Sequence, residues 1–375
     1  MHVNRPLLFT RVCTLLLGLS AALPSQANAA QKSTARKTTP KTTVAPKASA
    51  TPKASATTSA SATTSSVKPA YSASASEARK ARLARARAAA RVRETQRLRA
   101  LQTVRDAMTP RYKTDANGEV VPDIRAAAAV IFNPATGQVL WSENAQDKRS
   151  IASITKVMTT VVFLEDNPDL SREITVERGD VFAASTTYLR ANDRLTLDNV
   201  LHLTLIASDN AAARVLARVS HGGTAAFVER MNEKALELGL ESMTFADPSG
   251  LNPANMSSAY DLSRLISVAS ADERIAPIMR TAQYTVTTNR RSIPIHSTNR
   301  LLMGGDVDVM GGKTGFISKA GYCLATLLRL PQGNPVAVVV LGAQSNPGRF
   351  WETRHLFNWL SEKASVLLPK DPQQQ

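Results

Sequence analysis

Two cysteines, Cys13 and Cys323, and five histidines are all this 375-residue chain offers for disulfides, thiol nucleophiles and metal sites. If the N-terminal leader described below is removed, Cys323 stands alone and an internal disulfide is excluded even in an oxidising compartment. Cys323 lies in the apolar run 322–328 with no basic neighbour to lower its pKa, which predicts a buried structural thiol. His2, His202, His221, His296 and His355 are scattered, with no His-x-x-x-His or Cys-x-x-Cys spacing. No metal site and no cofactor is expected, and a Ser-His-Asp triad has no local support. The front apolar stretch, Val12 to Leu23, has twelve residues, short of the about 20 that span a membrane. Acidic residues are missing from 31–76 and large apolar ones nearly so, so nothing there offsets the entropy of ordering.

What is present at the front is a leader. Arg5 and Arg11 precede the apolar stretch, and Ala27-Asn28-Ala29 supplies a small-residue cleavage site. Residues 1–30 therefore read as a signal peptide of an exported cell-envelope protein, periplasmic, soluble or peripherally associated. The net charge of +16 is unevenly spread. Residues 107–375 hold 27 Lys+Arg and 27 Asp+Glu, 31–76 hold seven basic residues, and 77–106 hold ten basic against three acidic. Residues 31–76 read as a disordered Ala/Ser/Thr/Pro/Lys linker spanning roughly 35–40 Å. Residues 77–120 read as a basic helical segment. Its Leu83, Val92, Leu98, Leu101 and Val104 form no continuous stripe, which argues against a helix packed as in a globule. This region, 31–106, fits an anionic wall or membrane surface by charge, or serves as a solvated spacer; nucleic acid is not expected as a partner of an exported chain.

A packed domain is expected over 121–366, with a disordered tail over 367–375. Ala126 to Phe132 and Gln138 to Trp141 read as strands joined by the turn Asn133 to Gly137. Helices are expected from Ser153 to Leu164, Asp198 to Ala217 and Ala225 to Leu238. Strands return after Gly315, at Gly321 to Leu330 and Val336 to Leu341, and Phe350 to Ala364 closes as an amphipathic helix. Strands at both ends of a helical middle imply one mixed α/β domain with a sheet drawn from distant segments.

Three short elements carry chemistry. In Ser153-Ile-Thr-Lys156 the spacing of three stacks hydroxyl and amine on one helical face. At a helix's first turn, free N–H groups and the dipole favour an oxyanion. A serine hydroxyl needs a base, and lysine serves if burial and a second cation lower its pKa; Lys313 is the candidate cation. Ser153 is thus the expected nucleophile and Lys156 its base. In Ser208-Asp209-Asn210, placed in the helical stretch, Ser208 can relay a proton and Asn210 hold a substrate amide. In Lys313-Thr314-Gly315 the ammonium and hydroxyl can grip a carboxylate, and Gly315 lets substrate backbone lie alongside as an added strand.

The order of these three elements is that of class A β-lactamases and penicillin-binding proteins. The likeness extends to Ile151–Thr159, Leu205–Ala212, Phe227–Ala235, Asp247-Pro-Ser-Gly-Leu251, and Gly312–Phe316 followed by Ala320-Gly-Tyr-Cys323. Over about 125 to 362 the chain resembles the low-molecular-mass penicillin-binding proteins of the D-alanyl-D-alanine peptidase family. The resemblance implies an α/β fold: an antiparallel β-sheet flanked by helices, with an all-helical lobe bearing Ser208. It implies hydrolysis of peptidoglycan stem peptides through a Ser153 acyl-enzyme, β-lactams as covalent inhibitors, and an oxyanion hole from the N–H groups of Ser153 and Phe316. Only 60 residues follow Gly315, a plan that resembles the compact D-alanyl-D-alanine endopeptidases more than the longer carboxypeptidases. The alternatives are a class A-like β-lactamase and a non-catalytic peptidoglycan-binding protein. Against the first, none of Glu229, Glu233, Glu237, Glu241 and Glu273 has Asn four residues on.

Overall fold

A computed structural model describes residues 71–367. The expected signal peptide 1–30, the linker up to residue 70 and the tail from residue 368 lie outside the described residues. The first element is a helix, α1 (Tyr71–Met108). It starts before the expected boundary at 77 and, at 1.5 Å per residue, runs about 57 Å. From 76 to 106 every residue is exposed, Leu83, Val92, Leu98, Leu101 and Val104 included. Among the residues 76–108 only Ala107 is buried, and the Met108 carbonyl accepts a bond from His355. The missing apolar stripe thus prevents packing, while the Ala and Arg content still sustains helix.

Five strands form the main sheet: β1 (Ala128–Asn133), β2 (Gln138–Glu143), β3 (Asp308–Ile317), β4 (Gly321–Arg329) and β5 (Pro335–Ala343). Their order is β3-β4-β5-β1-β2, every pair antiparallel. The inner strands are apolar on both faces because both faces are covered. Ala128, Val130 and Phe132 of β1 and Ala337, Val339 and Leu341 of β5 point into a large core shared with helices. The alternating Ala129 and Ile131, and Val336, Val338 and Val340, point into a second core. That core is closed by Leu356 and Leu360 of the last helix, Asn346–Leu367. A period of two with no polar side is what a doubly covered strand shows.

The longer helices between β2 and β3 are α2 (Thr155–Glu165), α3 (Leu197–Leu205), α4 (Asn210–Val219), α5 (Gly223–Glu237) and α6 (Ala259–Ala271). The closing helix is α7. The sequence predicts one helix over 198–217; the structure breaks it at residues 206–209. Asp209 accepts from the Ala212 N–H at 2.9 Å as N-cap of α4, and Ser208 takes a left-handed φ of 59°. A capping carboxylate ends one helix and begins the next. The Lys313 motif also differs from expectation. It lies inside β3, whose Gly311, Gly312 and Gly315 dilute the strand signal.

Phe227 of α5 is fully buried in the larger core. Replacing it by Ala is expected to cost about 3–5 kcal/mol, read as a lower denaturant midpoint with an unchanged slope.

Candidate active site

Ser153 sits on a single 3-10 turn, Ala152–Ile154, that leads directly into α2. Two glycines make this turn possible. Gly250 (φ +83°) lies so close that a Cβ there would fall 2.0 Å from the Ala152 carbonyl oxygen. A Cβ on Gly315 would fall 2.5 Å from the Ile151 carbonyl oxygen. Ala152 itself is held at φ 49°, a conformation that costs a non-glycine residue on the order of 1–3 kcal/mol and persists only where the surroundings enforce it.

One helical turn on, Lys156 is completely buried. Its Nζ lies 3.0 Å from Ser153 Oγ, 2.6 Å from Asn210 Oδ1 and 2.5 Å from the Ser249 carbonyl oxygen. Burial pushes the amine down to about 7; Asp209 and Asp247 pull it up, and Arg214 adds a smaller downward push. The sequence reading assigns the downward push to burial and a second cation, Lys313, together. Here the dominant cause is desolvation, and the coupling of the two amines is felt at Lys313. Burial, then Lys156, then Arg349 hold Lys313 well below the ordinary lysine range.

The second motif lies at the α3–α4 break. Asn210 donates its Nδ2 to the Ala184 carbonyl at 2.8 Å, so its oxygen is fixed toward Lys156. Asp209 is fully buried; burial pushes its carboxyl up, while the N–H groups of Ala212 and Tyr188 pull it back. The third motif comes from β3. Lys313 Nζ donates to Ser208 Oγ at 2.7 Å and to the Thr314 carbonyl at 3.0 Å. Lys313, expected with Thr314 to grip a carboxylate, is 1 % exposed and bonded to Ser208, which lines the cleft. Thr314 Oγ1 bonds Thr298 Oγ1 at 2.6 Å, and the half-exposed Phe316 stacks on Tyr322 with centroids 4.3 Å apart.

Ser153, Ser208, Asn210, Thr314, Gly315 and Phe316 line one cleft of about 540 Å3, with the two lysines beneath its floor. A hydroxyl, an amine able to be neutral near pH 7, and a second hydroxyl bonded to a second amine can together move a proton from a nucleophile to a leaving group. Sequence reasoning missed Ser249, Thr298 and Arg349. Ser249 works through its backbone carbonyl, which no side-chain pattern signals. Arg349 of α7 also lines the cleft and is 6 % exposed. It donates to the carbonyls of Gly315 (3.0 Å) and Cys323 (3.2 Å), and to Asn346 Oδ1 (2.6 Å). Among the described residues no carboxylate pairs with it, and its Nε has no partner. A buried guanidinium without an anion is suited to receive one. Cys323 is buried in β4, and burial pushes its thiol up to about 11, so it is inert. Among the described residues no group of three or more His, Cys, Asp or Glu is placed to hold a metal ion.

Comparison with known proteins agrees with this geometry. The sequence profile of the D-alanyl-D-alanine carboxypeptidase family matches residues 115–345. A D-alanyl-D-alanine endopeptidase of Escherichia coli is 31% identical over 252 residues, 66% of this chain and 81% of that protein. The D-alanyl-D-alanine carboxypeptidase DacD of the same species is 32% identical over 250 residues, 64% of this chain and 63% of that one. The crystal structure of a Streptomyces DD-transpeptidase superposes with a TM-score of 0.60 at 28% identity, covering 64% of this chain and 97% of that one.

The Lys156 amine is expected to titrate near 7 in the folded protein, read from the Cε chemical shift of 13C-labelled lysine with Lys156→Met for assignment. A midpoint in the ordinary range near 10 contradicts the buried geometry.

Proposed function

The chain belongs to the D-alanyl-D-alanine carboxypeptidase family and is a serine-type D-Ala-D-Ala peptidase; within that family we propose that it acts chiefly as an endopeptidase on peptidoglycan cross-links. The carrying observation is the buried, near-neutral Lys156 amine 3.0 Å from the Ser153 hydroxyl. In this reading the Ser153 proton passes to Lys156 Nζ as Oγ bonds the penultimate D-Ala carbonyl carbon. The N–H groups of Ser153 and Phe316 hold the oxyanion. Ser208, polarised by Lys313, relays that proton from Lys156 to the leaving nitrogen as the C–N bond breaks, which returns Lys156 to the neutral amine. Water then attacks the ester and gives its proton to Lys156, which passes it to Ser153 Oγ as the shortened stem is freed. Asn210 holds the substrate amide, and Gly315 lets the peptide lie against β3. Thr314, with Lys313 behind it and Arg349 beside it, meets the substrate carboxylate. A β-lactam ring opened by the same attack keeps its amine tethered, so the ester persists and the drug acts as a covalent inhibitor.

The endopeptidase preference draws on the similarity to the Escherichia coli endopeptidase, which is matched over 81% of its length. A carboxylate on the D-centre is present in both kinds of substrate, so the third motif serves either. Location in the cell envelope follows from the leader; among the described residues no helix is long and apolar enough to cross a membrane. The ten basic side chains of 77–106, on an exposed helix and without an ion pair among the described residues, would hold the enzyme to the anionic wall polymer.

Ser153→Ala is expected to abolish penicillin labelling and peptide hydrolysis with the fold intact, and chromatography of muropeptides treated with the unsubstituted enzyme to show loss of cross-linked dimers. Conversion of pentapeptide to tetrapeptide with dimers untouched instead makes it a carboxypeptidase. Replacing the ten Lys and Arg of 77–106 by Gln should weaken salt-sensitive binding to isolated sacculi and spare activity on soluble muropeptides; salt-insensitive binding reduces the segment to a spacer.

A further inference from the structure

The loop 247–252 runs beneath the nucleophile and is organised by a single carboxylate. Asp247 Oδ1 accepts from the Ser249 N–H (2.6 Å), the Ser249 hydroxyl (2.6 Å) and the Gly250 N–H (2.8 Å), and Oδ2 accepts from the Asn252 N–H (2.6 Å). The turn so closed does two things. It presents the Ser249 carbonyl to Lys156 Nζ at 2.5 Å, and it seats Gly250 against the Ala152–Ser153 peptide.

The loop is also fastened to one face of α2. Asn255, fully buried, donates its amide to the Asp247 carbonyl (2.8 Å) and to Thr155 Oγ1 (2.9 Å). Thr159 Oγ1 donates to the Pro248 carbonyl at 2.7 Å. Residues 156 and 159 of the helix therefore bond this loop directly, and residue 155 does so through Asn255.

A neutral amine has two N–H bonds and one lone pair. With Asn210 Oδ1 and the Ser249 carbonyl as fixed acceptors, both N–H bonds are taken and the lone pair is left for Ser153 Oγ. We propose that Asp247 is a positioning residue for acylation: its carboxylate fixes the Ser249 carbonyl that aims the Lys156 lone pair, and its charge tunes how readily that amine is protonated. This rests on Lys156 acting as base to Ser153. The charged groups acting on Lys156 are Asp209 and Arg214 from α4, Asp247 from the loop and, on β3, Lys313, whose own amine feels it. Asp209 caps a helix and Arg214 bonds the carbonyls of Asp180 and Phe182, so Asp247 is the charge whose removal leaves α3 and α4 untouched.

The sign follows from electrostatics. A negative charge favours the protonated amine, so losing it lowers the Lys156 pKa. Acylation needs the neutral amine and rises as pH passes through that pKa. The acid limb should therefore move to lower pH in Asp247→Asn, by on the order of half a pH unit. The maximal rate should fall as well, because with the Asn oxygen on the three donors of Oδ1, the amide nitrogen left in place of Oδ2 cannot accept from the Asn252 N–H. Asp247→Glu, which keeps the charge, should hold the limb while losing rate.

The experiment is penicillin acylation of the full-length enzyme between pH 5 and 9, with thermal unfolding of each variant alongside. A downward-shifted limb in Asp247→Asn with an unshifted limb in Asp247→Glu supports the proposal. Limbs that coincide in all three proteins overturn it, whatever the change in stability, because a merely structural residue alters stability and rate but not the limb. An unsubstituted enzyme that labels elsewhere than Ser153, or labels there with no acid limb, instead overturns the assignment of Lys156 as base, and the role of Asp247 with it.

Discussion

An amine buried where separate parts of the chain cross is the constraint from which the rest of this site follows. Lys156 reaches partners on the nucleophile turn before α2, at the start of α4 and in the 247–252 loop, and touches no carboxylate directly among the described residues. The shift from 10.5 to about 7 corresponds to roughly 5 kcal/mol against the protonated form. That desolvation outweighs the attraction of Asp209 and Asp247 decides the chemistry. Were the carboxylates to win, the amine would stay charged at neutral pH and have no lone pair for Ser153.

The sheet serves this arrangement by carrying β3 past the nucleophile turn. Gly315 has no side chain because the Ile151 carbonyl occupies that space, and the strand can then put Thr314 at the cleft and Lys313 below it. The C-terminal helix α7 covers the sheet's second face with Leu356 and Leu360. From its first turn it sends Arg349 through to the Gly315 carbonyl. One helix thus closes a core and supplies a cation to the cleft edge. The same place also holds backbone strain: Ala152 and Ser208, beside the first motif and within the second, are both left-handed without being glycine.

Legibility varied with the kind of signal. The inner strands β4 and β5 and the helix α5 were read nearly to their ends, because long apolar periodicity records burial directly. The break between α3 and α4 was not, because Asp209 leaves helical geometry to cap Ala212 while its other oxygen is held by the Tyr188 N–H, which lies outside that window. β3 was read late, since its glycines answer to the nucleophile turn rather than to strand preference. α1 forms a helix that packs only at its end, as its scattered leucines and valines imply.

By itself the sequence determined the family, the eight residues that gather at the cleft and the split between a charge-balanced domain and a basic N-terminal segment, because residue identity and order carry that information without folding. Tertiary structure alone decided that burial outweighs the neighbouring charges at Lys156, that Lys313 lies below the cleft bonded to Ser208, and that the Ser249 carbonyl and Arg349 border the site with Asp247 holding the loop behind them. Those depend on burial and on backbone carbonyls brought together from distant segments, and neither quantity is written in any one stretch of the chain.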